Sequence, residues 1–301
     1  MMNLISVDLG IKKIKIPVAE ISSGKSGKAL LITAGMDGDE NSGIEAAYKL
    51  IEEFKEGGFR GNLTVIPIVN TPGVEINQSY NPLDNEFPKD IYPGKEDGSP
   101  SERLIHWLDI NYVSSSDIWL DLHGGAHDEM LEPSVLVYET KNEKINELLC
   151  KVISSVNIPK IVFHKTGFWT KIDLLAKKDI AYVITEVGCS GDRSNKWLAK
   201  HVELAKCIMG TLGMIEERIE RKQKPRIYRK RVKLKAGGSG LWFPQKTVFI
   251  KKGQILGKLI SLEGKEIEVI QAKEDGEFLW GKESLFCKRG DILVEMCTEL
   301  S

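Results

Sequence analysis

Three short segments of the 301-residue chain gather residue types that do hydrolytic chemistry. Gly35-Met36-Asp37-Gly38-Asp39-Glu40 follows the apolar run 29–34. Asp121-Leu122-His123-Gly124-Gly125 lies at the end of a second run, and Thr185-Glu186-Val187-Gly188 at the end of a third. Asp37 and Glu40 stand three apart, as two metal ligands on one turn must. A histidine from a distant strand would complete a three-ligand site with an open position for water. The same acids also read as a turn leading into a helix whose N-terminal dipole favours negative charge. His123 also reads as a core histidine hydrogen-bonded near a strand end, and spacing leaves both readings open. Glu186 should emerge where its strand ends, as a proton acceptor or as the partner of some Lys or Arg. Gly188 would let the backbone pass close to a ligand.

The elements that must position these groups alternate. Residues 29–34, 62–69, 117–122, 134–138, 160–163 and 180–185 are strand-length apolar runs. Asn41 and Ser42 are capping types, and Ile44, Ala47, Tyr48, Ile51 and Phe54 follow at helical spacing until Gly57-Gly58 stops the helix. Further helices fit 99–108, 141–155 and roughly 194–221. Strand–helix alternation predicts a mostly parallel or mixed sheet covered by helices, and sites in such sheets form at the carboxyl ends of strands. Residues 70–98 hold Pro72, Pro82, Pro88 and Pro93 among many Asn, Asp and Gly, a long irregular loop of the kind that carries function.

From about residue 218 the pattern changes. Arg218, Arg221, Lys222, Lys224, Arg226, Arg229, Lys230, Arg231, Lys233 and Lys235 crowd around Pro225, and read as a solvated helix end and linker. Residues 236–301 repeat a Gly turn, a strand, a Lys-(Lys/Arg)-Gly turn and a strand, once over 240–256 and again over 276–293. Two such units can form a small β-sandwich or barrel that resembles a lipoyl-like barrel-sandwich module. No lysine sits at a hairpin tip in the setting of a carrier, so a structural or gating role is expected. The expected division is 1–222 and 223–301.

Composition narrows the class. With 42 Lys and Arg against 43 Asp and Glu, the net charge of -1 leaves no global basic excess for nucleic acid. No apolar run reaches the ~20 residues that span a bilayer, and the first residues lack the form of a signal peptide. Five scattered cysteines without CxxC spacing fit reduced thiols in a cytoplasmic protein, most of them buried. Trp107, Trp119, Trp169 and Trp197 read as core or groove residues, and His127 and Asp128 as loop residues close to the candidate site.

The ordered segments Ala34–Glu40, Val69-Asn70, Tyr80…Pro82-Leu83-Asp84…Pro93-Gly94…Ser101-Glu102-Arg103, Asp121–His123 and Thr185–Gly188 resemble the succinylglutamate desuccinylase/aspartoacylase family of the zinc carboxypeptidase superfamily. The resemblance runs from about 10 to 300. It implies a zinc-carboxypeptidase-like α/β/α domain with a mixed sheet, followed by a small all-β domain. It implies a zinc ion held at Asp37, Glu40 and His123, with Asp121 orienting His123. It implies Glu186 as general base and acid, and a small-molecule substrate contacted at Asn70 and Lys89. Neither nucleic acid nor membrane is an expected partner, and homo-oligomerisation is left open.

This chain departs from the family pattern in its ligands and its loop. Asp37 stands where the family has its first His ligand. Carboxylate oxygen reaches zinc at ~2.0–2.2 Å, so Asp can serve, but a second carboxylate lowers the net positive charge and tilts preference toward harder ions such as Mn²⁺. The family's loop carries one Arg ahead of the Tyr-x-Pro-x-Asp segment and an Asn-Arg pair after it. Here Ser79 and Lys89-Asp90 take those places, and no Arg lies between Arg60 and Arg103. A lost oxyanion donor typically costs ~10²–10³ in rate, and Lys89 offers a point charge without a bidentate fork. Two expectations follow. One is a metal-dependent amide hydrolase of the deacylase type; the other is a silent relative that binds a ligand or partner in the old cleft.

Overall fold

Short apolar runs bounded by turn residues become strands in the computed structural model, which describes residues 2–164, 170–216 and 224–300. In chain order the strands of the first half are β1 (Met2–Asp8), β2 (Lys13–Ser22), β3 (Ala29–Ala34), β4 (Asn62–Ile66), β5 (Ile118–His123), β6 (Glu129–Leu131), β7 (Ser134–Tyr138), β8 (Lys160–His164) and β9 (Ala181–Glu186). Then come β10 (Arg226–Lys235), β11 (Gly240–Pro244), β12 (Phe249–Ile250), β13 (Ile255–Ile260), β14 (Glu266–Gln271), β15 (Gly276–Lys282), β16 (Phe286–Cys287) and β17 (Ile292–Leu300). The helices are α1 (Asn41–Phe54), α2 (Thr71–Glu75), α3 (Pro100–Asn111), α4 (Glu143–Ser155), α5 (Thr170–Lys177) and α6 (Asn195–Thr211).

Parallel pairing of β4, β3, β5 and β9 forms the centre of a mixed sheet, with β7 antiparallel to β9 and β8 parallel to β7. Strands buried on both faces need cover on both. One core layer takes Ile44, Leu50 and Phe54 of α1, Ile145 and Leu149 of α4, and Leu204 and Ile208 of α6. The other takes Leu104 and Leu108 of α3, with Ile172 and Leu175 of α5. The start of α3 is set locally. Ser99 Oγ accepts from the Glu102 amide at 3.3 Å, Glu102 Oε2 accepts from the Ser99 amide at 2.9 Å, and Pro100 needs no donor partner in the first turn.

The expected mixed α/β fold is thus present, with a separate antiparallel sheet toward the C-terminus. That sheet is β14-β13-β11-β16 and takes β11 and β13 from the first repeat copy, whose β12 instead pairs with β15 of the large sheet. Strands β15 and β17 of the second copy join the large sheet through β10, while its β16 pairs with β11.

Several expectations need correction. Residues 226–235 are no linker: β10 pairs parallel with β8 and antiparallel with β17. The reason is alternation, since Tyr228, Val232 and Leu234 share one face of the strand, Tyr228 and Leu234 buried, while Arg229, Arg231, Lys233 and Lys235 lie on the other. The hairpin β1–β2 and helix α5 were not anticipated. Helix α6 stops at Thr211, short of 221, with Gly213 at φ +66° just beyond. Trp169 and the basic residues Arg218, Arg221 and Lys222 lie outside the described residues. All five cysteines are free, three of them buried. Among the described residues no helix is long and apolar enough to cross a membrane.

Candidate metal centre and catalytic cleft

Because β3, β5 and β9 are parallel neighbours, their carboxyl ends fall on one edge of the sheet. Ala34 pairs in register with Leu122, and His123 with Glu186. The chain leaving β3 turns into α1, so Asp37 and Glu40 meet His123. One ligand atom from each of these buried residues lies within 4.8 Å of the others. His123 Nδ1 is 2.9 Å from Glu40 Oε2 and 3.7 Å from Asp37 Oδ2. Glu40 occupies the position before α1, where Asn41 or Ser42 was expected to cap, but its carboxylate turns inward and accepts from the Gly124 amide at 3.1 Å.

The far side of His123 is held by a buried relay. Its Nε2 is 3.2 Å from Asp121 Oδ2, as the expected orienting role requires. Asp121 also accepts from Tyr182 Oη at 2.8 Å and from Thr33 Oγ1 at 2.6 Å. Lys171 Nζ donates to Tyr182 Oη at 2.8 Å and lies 4.1 Å from the Trp119 ring centroid. With Nε2–H given to Asp121, the Nδ1 lone pair is left facing Asp37 and Glu40, which is the arrangement of a carboxylate-oriented metal histidine. Tyr182 and Lys171 were missed from sequence; Tyr182 is a lone hydroxyl in the apolar run of β9, whereas Lys171 lies in a helix with other charged positions and gives no local signal.

The donor set fits a divalent cation. Burial would raise Asp37, but Lys89 and His123 hold its carboxyl well below the usual carboxylate range. Burial drives Glu40 well above its ordinary value, outweighing the attraction of His123. His123 is opposite: burial would lower it, and Glu40 and Asp121 hold it well above. Two buried carboxylates therefore call for positive charge, which protons and Lys89 supply in the absence of an ion. Asp37 Oδ1 is buried and has no hydrogen-bond partner among the described residues, leaving an acceptor for such a cation.

Lys89 comes from the Pro-rich loop, with its side chain 36% exposed, and its Nζ donates to Asp37 Oδ2. It lines a cleft of about 380 Å³ together with His123, Glu186, Tyr138, Tyr182 and Arg231. Glu186 is raised to about 7, chiefly by burial. Asn70 is placed elsewhere than expected. It is fully buried, its Oδ1 accepts from the Gly73 amide at 3.1 Å, and its Nδ2 donates to Met36 O at 3.3 Å. Its amide is consumed in tying the loop to the 35–40 turn, so it shapes the site without facing the cleft. Gly188, at φ +94°, is needed for Ser42, whose Oγ would lie 2.8 Å from an added Cβ, so it answers packing instead of a ligand. Asp39 turns away to His127 Nδ1 at 2.9 Å and to Ser79 Oγ at 2.7 Å. Asp128 accepts from Ser284.

Comparison with known proteins places this geometry. The sequence profile of the succinylglutamate desuccinylase/aspartoacylase catalytic domain matches residues 26–204. An N-alpha-acetyl-L-2,4-diaminobutyric acid deacetylase from Halomonas elongata is 25% identical over 220 residues, covering 71% of this chain and 63% of that protein. The chain thus spans less than two thirds of the length of that relative. A succinylglutamate desuccinylase/aspartoacylase from Rhodobacter sphaeroides superposes with a TM-score of 0.86 at 21% identity, covering 99% of this chain and 95% of that one. The product-bound ectoine utilization protein EutE (DoeB) from Ruegeria pomeroyi gives 0.88 at 17% identity, with coverages of 99% and 95%. These structural likenesses concern the fold; the profile covers more than half of the chain, which therefore belongs to the succinylglutamate desuccinylase/aspartoacylase family.

Proposed function

We propose that this chain is a metal-dependent hydrolase, with zinc as the ion, that cleaves the amide bond of a small N-acylated substrate. The observation that carries this reading is the meeting of Asp37, Glu40 and His123 at the sheet edge where Glu186 lines the same cleft. The deacetylase named among its relatives supports the amide chemistry. Held by those three side chains, a divalent ion supplies Lewis-acid polarisation and a water of lowered pKa. Glu186 takes the proton from the attacking water and delivers it to the leaving nitrogen. Asp121 keeps His123 in one tautomer, and Lys89 brings a fixed cation to the cleft where the carbonyl oxygen gains negative charge. A panel of N-acyl amino acids and N-acyl amines, assayed with zinc and with Mn²⁺, tests the reading. Turnover of at least one member supports it; no hydrolysis with either ion contradicts it.

The relay behind His123 gives a second expected outcome. Asp121→Asn removes the charge that orients the ring while keeping its shape. Metal affinity should fall about 10–100-fold, as for other partners that orient metal-bound histidines. Competition with a chromogenic chelator measures it, and an unchanged affinity would show that Asp121 serves only the strand end.

A second reading has one observation in its favour. The Lys89 ammonium on Asp37 already neutralises one carboxylate of the cluster. On that reading the cleft binds a ligand without turnover, and Lys89→Met should make it bind metal more tightly; an affinity unchanged by that substitution would remove the support.

A further inference from the structure

We infer that His201 is a positioning residue for Glu186: from α6, on the side of the sheet away from the cleft, it clamps the two residues that flank Glu186 and so fixes where the carboxylate stands. The inference deepens the hydrolase reading above and rests on it for the role of Glu186.

Successive residues of β9 face opposite sides of the sheet. Tyr182 and Ile184 belong to the core layer of α3 and α5, and line the cleft with Glu186. Ala181 and Val183 belong to the layer of α1, α4 and α6, and Thr185 faces the same way. His201 of α6 is fully buried there. Its Nε2 is 3.1 Å from Val187 O, and its Nδ1 is 3.1 Å from Thr185 Oγ1. A carbonyl only accepts, so Nε2 carries the proton and Nδ1 accepts from the Thr185 hydroxyl. Burial holds His201 at about 3, so the ring is neutral near neutrality, the form with one donor and one acceptor. Both nitrogens are thus spent on the neighbours of Glu186. An apolar side chain would fill the place without that demand, so what the histidine adds is direction.

The Glu186 carboxylate has no hydrogen bond or ion pair of its own among the described residues, so the backbone that carries it sets its place. That backbone is tied to the segments of the cluster. Ser42 Oγ, two residues past Glu40, donates to Val187 O at 2.7 Å. The Val187 amide donates to His123 O at 3.0 Å, and the Gly125 amide to Gly188 O at 2.9 Å. An added Cβ at Gly124 would lie 2.5 Å from Val187 O, so glycine keeps the room this knot needs. Without His201 the hold on Thr185 is gone and Val187 O keeps only Ser42, so Glu186 can turn with its backbone. A displacement of about 1 Å at a reacting group can cost ~10²-fold in rate.

Three variants of the whole chain test the clamp. His201→Leu removes both bonds. His201→Gln places an amide where it can still donate to Val187 O. Thr185→Val keeps its shape and loses only the hydroxyl. On the best substrate of the panel, His201→Leu should lower kcat about 10–100-fold, with KM and metal content within about twofold of wild type. Thr185→Val should lower kcat by less, and His201→Gln should recover most of the loss. Amide hydrogen exchange gives a readout independent of turnover. Val187 and Gly125 should exchange at least ~10-fold faster in His201→Leu and return toward wild type in His201→Gln, while Val183 in the middle of β9 stays unchanged. Thermal unfolding checks folding, and if His201→Leu does not fold, Thr185→Val is read in the same way. An unchanged kcat in a folded variant, or exchange that rises equally at Val183, would overturn the clamp and leave His201 a packing residue. If wild type hydrolyses nothing, the hydrolase reading fails and exchange alone decides: local loosening at Val187 and Gly125 upholds the clamp, and its absence overturns it.

Discussion

Glu186→Gln should lower turnover by about 10²–10⁴ while leaving metal content where it was. That is the usual range for loss of a general base. Glutamine keeps the volume and one acceptor oxygen but cannot hold the proton that must pass from water to the leaving nitrogen. The side chain ends β9 beside His123 and lines the cleft, yet it is not among the three residues that converge on one point. On the hydrolase reading, metal binding and proton transfer are therefore separable here. Burial holds the Glu186 carboxyl near 7, so it sits where a group can both accept and return a proton near neutrality. Steady-state hydrolysis and metal analysis of the same preparations give the answer. A variant with full turnover would assign the proton transfer to another group, and one that lost its metal would make Glu186 a ligand.

Much of this site was legible because it follows strand ends. A run such as Ala29–Ala34 declares a buried strand by composition, and the polar residues after it then stand at the sheet edge whatever the loops do. The helix spacing after Asn41 did the same for α1, whose observed bounds are Asn41–Phe54. Order among the strands was not visible in this way. That β3, β5 and β9 lie side by side, and that Lys89 reaches Asp37 from 52 residues away, depends on tertiary pairing that periodicity does not encode.

The basic segment shows why the rest was hidden. Ten cations crowded into residues 218–235 around Pro225 look like solvated chain, because charge reports solvent exposure in most settings. In β10 the charges divide between two faces. Lys230 pairs with Glu274 at 3.0 Å on one side, while Arg231 pairs with Glu295 on the other, at the cleft. The period-2 signal of β10 is thin, with Tyr228, Val232 and Leu234 on one face interrupted by Lys230, and the surrounding charge masks it. Asn70 illustrates the opposite error. Its place in a motif suggested a substrate contact, whereas its amide is spent on the Gly73 amide and the Met36 carbonyl.

Hydrolysis in this cleft requires that Asp37, Glu40 and His123 hold a metal ion. The direct measurement is elemental analysis of the purified protein, read beside Glu40→Ala and His123→Ala, with an anomalous scattering scan to place the ion. Removing either residue leaves two donors, of which Asp37 is also engaged by Lys89, and structural or catalytic divalent sites in proteins seldom persist on so few. Wild type should contain about one zinc or manganese per chain, and both variants should lose most of it while remaining folded. Metal at the same level in wild type and both variants, or none in wild type even after incubation with zinc, would contradict the account.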